Sequence, residues 1–105
     1  MQTDTDGRVA DGLRAVADPM RWRILELLAA EELCVCHLVE TLGAAQPLVS
    51  HHLRALRDAG LVATERYRYW TYYRVRPDAL AALAEKLTDL AATTPPVGEA
   101  RRPCC

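Results

Sequence analysis

Two cysteines lie two residues apart in the segment ELCVCHL, residues 32–38, and two more stand at positions 104 and 105. Thiolates bind soft, thiophilic ions and are also the reactive groups of redox proteins. In a reducing compartment, cysteines serve more often as metal or redox ligands than as a disulfide framework. The sequence therefore indicates a metal or redox role for Cys34, Cys36, Cys104 and Cys105, with inert buried cysteines as the alternative.

The compartment follows from what the sequence lacks. The first residues show no basic-then-apolar leader, and no apolar run approaches the roughly 18 residues that span a bilayer. The 105 residues are 50% hydrophobic, which suits one modest core. We therefore expect one small cytoplasmic domain with no membrane partner.

The spacing of Cys34 and Cys36 restricts where they can act together. Positions two apart on a helix lie about 200° around its axis, so the pair could not face one ion from mid-helix. Cys34 falls where the N-cap of a short helix belongs, and the non-helical dihedrals of an N-cap let the two side chains converge. Unpaired N–H groups and the positive end of the helix dipole favour thiolate there. This location predicts a reactive, metal-ready pair.

The elements around this pair predict a helix-turn-helix. A helix over 19–30 follows Asp18 as its N-cap, and a second follows the cysteines and ends at Gly43. A third begins with Pro47 near its start and ends at Gly60. Two short helices joined by a tight glycine turn define the motif.

The rest of the chain predicts a hairpin, a last helix and a tail. The segments LVATER and YWTYYRV are rich in β-branched and aromatic residues and flank a short polar link. From Asp78, leucines 80, 83, 87 and 90 follow a narrow stripe that suits pairing with another helix, although packing on the chain's own core is an equal alternative. Residues 94–105 lack periodicity. We predict a mainly α fold with a β-hairpin (α+β), a homodimeric winged helix-turn-helix over residues 1–93, and a flexible tail over 94–105.

The charges are segregated although the net charge is −1. Residues 46–76 carry six arginines against two acidic residues, which suggests one face for a polyanion. In the third helix an inward stripe (Val49, His52, Leu53 and Leu56) leaves an outward stripe for base reading. The outward residues are Gln46, Ser50, His51 and Arg54. Arg57 suits a phosphate, and Arg66 and Arg68 suit the minor groove from the hairpin. Trp22, Trp70 and Tyr73 are most simply core aromatics.

The segments ADPMRWRILELL, ELCVCHL, QPLVSHHLRALRDAGLV and YWTYYRV together resemble the ArsR/SmtB metalloregulatory repressors, over about residues 10–90. The pair "ELCVC" and "VSHHL" resembles the arsenic-sensing branch. The resemblance implies a homodimeric repressor of an arsenic-resistance operon that binds double-stranded operator DNA and is released by trivalent arsenic. It implies no constitutive cofactor and no catalytic residues.

The ligand set departs from the usual pattern of that branch, C-V-C-D-L-C. His37 replaces the aspartate and Val39 the third cysteine, while Arg68 replaces the glycine common in the wing turn. Because trivalent arsenic prefers three sulfurs, Cys104 or Cys105 could supply the third from the same or the other subunit, since the 12-residue tail reaches up to about 40 Å. His37 is the weaker ligand candidate and is expected to be a solvated helix residue. The last helix lacks the histidines of the family's zinc sensors.

Three alternatives stay open. The inducer could be another thiophilic ion, namely cadmium, lead or methylarsenite, or it could be oxidation of the thiols. A thiol oxidoreductase is a third alternative, but the sequence lacks a thioredoxin-like strand pattern. We therefore expect a regulator and not an enzyme.

Overall fold

The computed structural model describes residues 3–104, with side chains from residue 7 onward. Within that range the chain forms five helices and one antiparallel hairpin, which confirms the predicted α+β class and adds one helix, the first, to the four that were predicted. None of the described helices is long and apolar enough to cross a membrane. The elements are α1 (Thr3–Ala17), α2 (Pro19–Ala30), α3 (Val35–Leu42), α4 (Gln46–Asp58), β1 (Val62–Tyr67), β2 (Trp70–Val75) and α5 (Pro77–Thr93).

The helix-turn-helix consists of α3 and α4, and the residues that begin and end these helices were predicted correctly. A carboxylate oxygen of Asp18 accepts the N–H groups of Met20 and Arg21 at 2.8 and 3.1 Å and so caps α2. Gly43 ends α3 at a φ of 61°, the left-handed conformation that a side chain disfavours. The chain therefore turns sharply between α3 and α4.

Helix α1 was not predicted, because its sequence carries two glycines and little helical periodicity. Tertiary packing accounts for it: α1 contacts α2, α4 and α5, and Ala15 is buried in the core. At Gly12 an added Cβ would lie 2.8 Å from the side chain of Leu83 in α5. The glycine thus permits a close approach of α1 to α5.

The core lies between α2, α3, α4 and the start of β1. Its largest fully buried side chains are Ile24, Leu38, Val49, Leu53, Leu56 and Leu61. His52 is also buried, so the predicted inward stripe of α4 is confirmed.

Two predicted core aromatics are not in the core. Trp22 and Trp70 are 54% and 56% exposed, because the inward positions of α2 belong to Ile24, Leu25 and Leu28 and the outer end of the hairpin has no second layer over it. Tyr73 is half-buried and packs against the core.

A β-bridge joins the hairpin to the segment just before the cysteines. Leu33 and Tyr73 form an antiparallel bridge, in which the N–H of Tyr73 donates to the oxygen of Leu33 at 2.8 Å and the N–H of Leu33 donates back at 3.2 Å. At the other end Tyr67 pairs with Trp70 across a two-residue turn. Arg68 in that turn has a φ of 57°, where a glycine is usually favoured.

The leucine stripe of α5 is partly buried in its first half and exposed in its second half. Leu80 and Leu83 are half-buried against the core, whereas Leu87 and Leu90 are 52% and 68% exposed. The helix ends at Thr93, and the described residues that follow are exposed. The outer half of the stripe thus lies beyond the chain's own core.

Candidate thiol site and DNA-binding surface

The sulfur atoms of Cys34 and Cys36 and a ring nitrogen of His37 lie within 4.8 Å of one another at the start of α3. Cys34 is the N-cap, with a φ of −91° and a ψ of 170°, as predicted. Its extended backbone turns its sulfur toward that of Cys36, which the regular helix would hold on the opposite side. Cys34 is buried, while Cys36 and His37 are exposed. A buried and an accessible thiol therefore share one small site.

His37 is tied to this cluster more closely than was expected of a solvated residue. Its Nδ1 accepts the backbone N–H of Cys34 at 3.2 Å and lies 3.3 Å from the Cys34 sulfur. The arrangement is that of a capping box in which a thiol replaces the usual hydroxyl. Accepting at Nδ1 places the proton of the neutral ring on Nε2. His37 thus accepts a backbone N–H at the N-terminus of α3.

The two thiols have opposite pKa shifts. Burial raises the pKa of Cys34, but a hydrogen bond from Cys36 and the backbone N–H groups of His37 and Cys36 outweigh it, so the net shift is downward. The same thiol–thiol hydrogen bond raises the pKa of Cys36, with a smaller contribution from burial. The surroundings of the pair therefore favour the thiolate form at Cys34 and the thiol form at Cys36.

A cleft of about 390 Å³ opens beside the thiols, between α3, the start of α4 and β2. Cys34 and Cys36 line one part of it. Its other lining residues are Val35, Val39, Glu40, Gln46, Trp70 and Thr71. The thiol pair therefore borders both the beginning of α4 and the hairpin.

Of the tail cysteines, the structure describes only Cys104, which is not part of this cluster. Cys104 is exposed and free, and Cys105 lies outside the described residues. A third thiolate from either residue remains a prediction.

The predicted DNA-reading residues lie together on the surface of α4. Gln46, His51, Arg54 and Arg57 are exposed, and Ser50 is half-buried. A polar groove of about 500 Å³ is lined by Ser50, Arg54 and Arg57 together with Asp58 and Tyr73. Tyr73 was not predicted to belong to this surface, because its place in an aromatic strand segment indicated the core. The fold of the hairpin against the helices brings it beside α4.

The hairpin carries the other two predicted contacts at its tip. Arg66 and Arg68 are exposed, and the guanidinium of Arg68 lies 5.5 Å from the centre of the Tyr67 ring. The tip also exposes Tyr69, at 89%. Two arginines beside exposed aromatic rings form a wing suited to a polyanionic surface.

The fold and these surfaces define a winged helix-turn-helix regulator. A family model described as "Bacterial regulatory protein, arsR family" matches residues 18–64. The chain belongs to this ArsR family of DNA-binding transcriptional regulators, as its resemblance indicated.

Three relatives illustrate the match. The arsenic resistance transcriptional regulator ArsR1 of Pseudomonas putida is 44% identical over 66 residues, which cover 62% of this chain and 52% of that regulator. The transcriptional repressor SmtB homolog of Synechocystis is 35% identical over 85% of this chain and 67% of its own length. The homodimeric winged helix-turn-helix DNA-binding domain of Mb0332 from Mycobacterium bovis superposes with a TM-score of 0.73 at 26% identity, covering 95% of this chain and 94% of that domain.

Proposed function

We propose that this chain is a cytoplasmic homodimeric repressor of an arsenic-resistance operon that leaves its operator when trivalent arsenic binds Cys34 and Cys36. The observation that carries the proposal is the clustering of both thiols at the N-cap of α3, the first helix of the DNA-binding motif. Soft thiolates select thiophilic ions over magnesium or calcium. The likeness to an arsenic resistance regulator supports arsenic as the ion.

Two structural connections join the thiol site to the DNA-binding surface. Helix α3 leads through Gly43 into α4, which carries Gln46 and Arg54. The residue before Cys34 is bridged to Tyr73, which lines the same groove as Arg54. Drawing the two sulfurs onto one ion would disturb the N-terminus of α3 and therefore both connections. Regulation of this kind needs a coupling free energy of about 1–3 kcal/mol between ligand and DNA.

The third sulfur that arsenic prefers is assigned to Cys104 or Cys105, from the same or the partner subunit. Cys104 is exposed in a segment of the chain that is itself exposed, so it is accessible for recruitment. On this proposal the tail thiolate tightens the site, whereas Cys34 and Cys36 transmit the signal.

We propose that α1 and the outer half of α5 form the dimer interface. The exposed Leu90 adjoins Val9 and Leu13 of α1, which gives an apolar surface across both helices. A two-fold dimer presents two α4 helices to half-sites spaced about 10 base pairs apart. The homodimeric domain from M. bovis supports a homodimer.

A cadmium sensor is the second candidate, and His37 is the observation that favours it. Its ring nitrogen lies in the thiol cluster, and imidazole nitrogen suits cadmium or zinc better than arsenic.

The experiment is a titration of operator-bound protein, read by fluorescence anisotropy of labelled DNA from the region upstream of its own gene. Under reductant, arsenite should release the DNA, and cadmium and lead should act only at higher concentrations or not at all. In a separate titration of the reduced protein, after the reductant has been removed, the oxidant diamide should leave the DNA bound. Cys36→Ser should bind the DNA normally and resist arsenite. Release by cadmium at lower concentration than arsenite, with His37→Ala resistant, would establish the second candidate instead.

A further inference from the structure

The cleft beside the thiols has apolar walls that binding of a bare ion leaves unused. Val35 and Val39 line it from α3, and Trp70 lines it from β2. Trp70 is 56% exposed, although a tryptophan gains most from being covered. An apolar group held at the sulfurs would lie against these three side chains.

The number of clustered thiols also fits a ligand with an organic group. The cluster holds two sulfurs, from Cys34 and Cys36, and Cys104 lies outside it. Inorganic trivalent arsenic seeks three sulfurs, whereas in a monosubstituted arsenical one of the three bonds is already made to carbon. Two thiols therefore complete the coordination of the substituted form without help from the tail.

We propose that the cleft binds the organic substituent R of a monosubstituted trivalent arsenical, R–As(OH)₂, while Cys34 and Cys36 bind its arsenic atom and Trp70 packs against R. This inference rests on the proposed function and specifies the ligand class of that same site. An aromatic R suits the cleft best, because its face can stack on the indole. An apolar cavity of about 150 Å³ accommodates benzene, and the open cleft of about 390 Å³ exceeds that size.

The binding step is an exchange of ligands on arsenic. Two As–O bonds break and two As–S bonds form, one to each cysteine. Each thiol proton leaves with a hydroxide as water, so two waters are released. Arsenic stays trivalent and keeps its carbon, and no oxidant or reductant is required.

The position of the cleft explains how its occupant would affect DNA binding. Gln46, the first residue of α4 and a predicted base-reading residue, lines the same cleft. Trp70 is at the start of β2, next to the wing turn. A substituent in the cleft would therefore touch both parts of the DNA-binding surface directly, in addition to the effect of arsenic on α3.

The test compares sodium arsenite, methylarsonous acid and phenylarsine oxide as ligands of the reduced full-length protein. Dissociation constants and midpoints of operator release are measured for wild type, Trp70→Ala and Trp70→Phe. Trp22→Ala is the matched control, since Trp22 is a similarly exposed tryptophan that does not line the cleft. A variant with serine at both 104 and 105 removes any tail thiolate.

Phenylarsine oxide should bind wild type most tightly and quench the fluorescence of Trp70. Trp70→Ala should weaken its binding by about 3- to 10-fold, the effect of losing an aromatic contact, and leave arsenite binding unchanged. Trp70→Phe should restore most of the affinity, and Trp22→Ala should change nothing. In the tail variant, arsenite should lose affinity while phenylarsine oxide keeps it.

Two results would overturn the inference while leaving the proposed function standing. One is an equal loss of affinity for arsenite and for phenylarsine oxide in Trp70→Ala. The other is a wild-type protein that binds arsenite more tightly than it binds methylarsonous acid or phenylarsine oxide. Failure of every arsenical to bind, with operator binding intact, would instead refute the proposed function.

Discussion

Replacing Cys34 by serine should separate the folding role of this residue from its sensing role. Cys34 is the N-cap of α3, and its sulfur takes the place of the hydroxyl in a capping box. Serine is among the preferred N-cap residues because its oxygen accepts a backbone N–H, whereas a thiol is a weak acceptor. The change is also nearly isosteric, so the buried position is preserved.

The expected gain in stability follows from the value of a cap. N-cap hydroxyls are worth about 0.5–2 kcal/mol over alanine, and against the weakly capping thiol we expect the low end, about 0.5 kcal/mol. For a domain of this size that raises Tm by about 2–4 °C. Sensing should change in the opposite direction: the 1–3 kcal/mol coupling between arsenic and DNA, about 5- to 150-fold in operator affinity, should be lost.

Two measurements check this prediction, thermal unfolding by circular dichroism and arsenite release of labelled operator by anisotropy. Cys36→Ser is the matched control, because Cys36 is exposed and is not the cap; it should lose the arsenite response without a gain in Tm. A Cys34→Ser variant that responds fully to arsenite would refute the thiol site. A Cys34→Ser variant that has a lower Tm and no longer binds the operator would show that Cys34 is mainly structural.

Three further predictions test the surface, the core and the pH response. Arg54→Ala should weaken operator binding by about 1–3 kcal/mol and relax base preference, whereas Arg68→Ala should weaken all sequences alike; anisotropy with operator and scrambled DNA distinguishes them, and an unchanged Arg54→Ala would contradict the assignment. Leu38→Ala should cost about 2–5 kcal/mol in urea unfolding, because Leu38 is fully buried, and a cost below 1 kcal/mol would contradict its place in the core. Burial holds the pKa of His52 below 6.5, so the unfolded chain binds more protons near that pH. The stability contributed by neutral His52 should therefore be present above pH 6.5 and lost as the pH falls, and urea unfolding from pH 7.5 to 5.5 should show a smaller loss in His52→Gln.

Local signals in the sequence specified the helices of the DNA-binding motif. Asp18 and Gly43 act within one or two turns of their own positions, and the period of Val49, Leu53 and Leu56 reports which face of α4 is buried. The placement of Cys34 at a helix N-terminus follows from the same local rules. These features depend on short-range geometry, and a single sequence carries that information.

Long-range packing decided the rest. Helix α1 forms although its own sequence is a weak helix former, because α2, α4 and α5 lie against it. Trp70 and Tyr73 belong to one aromatic strand segment, yet one lines the thiol cleft and the other the groove beside Arg54. Strand alternation alone does not say what each face of a hairpin meets. The sequence by itself determined the thiol pair and the helix that carries it. Only the tertiary structure placed Trp70 and Gln46 beside that pair, because contacts between distant segments depend on how the elements pack and not on any local pattern.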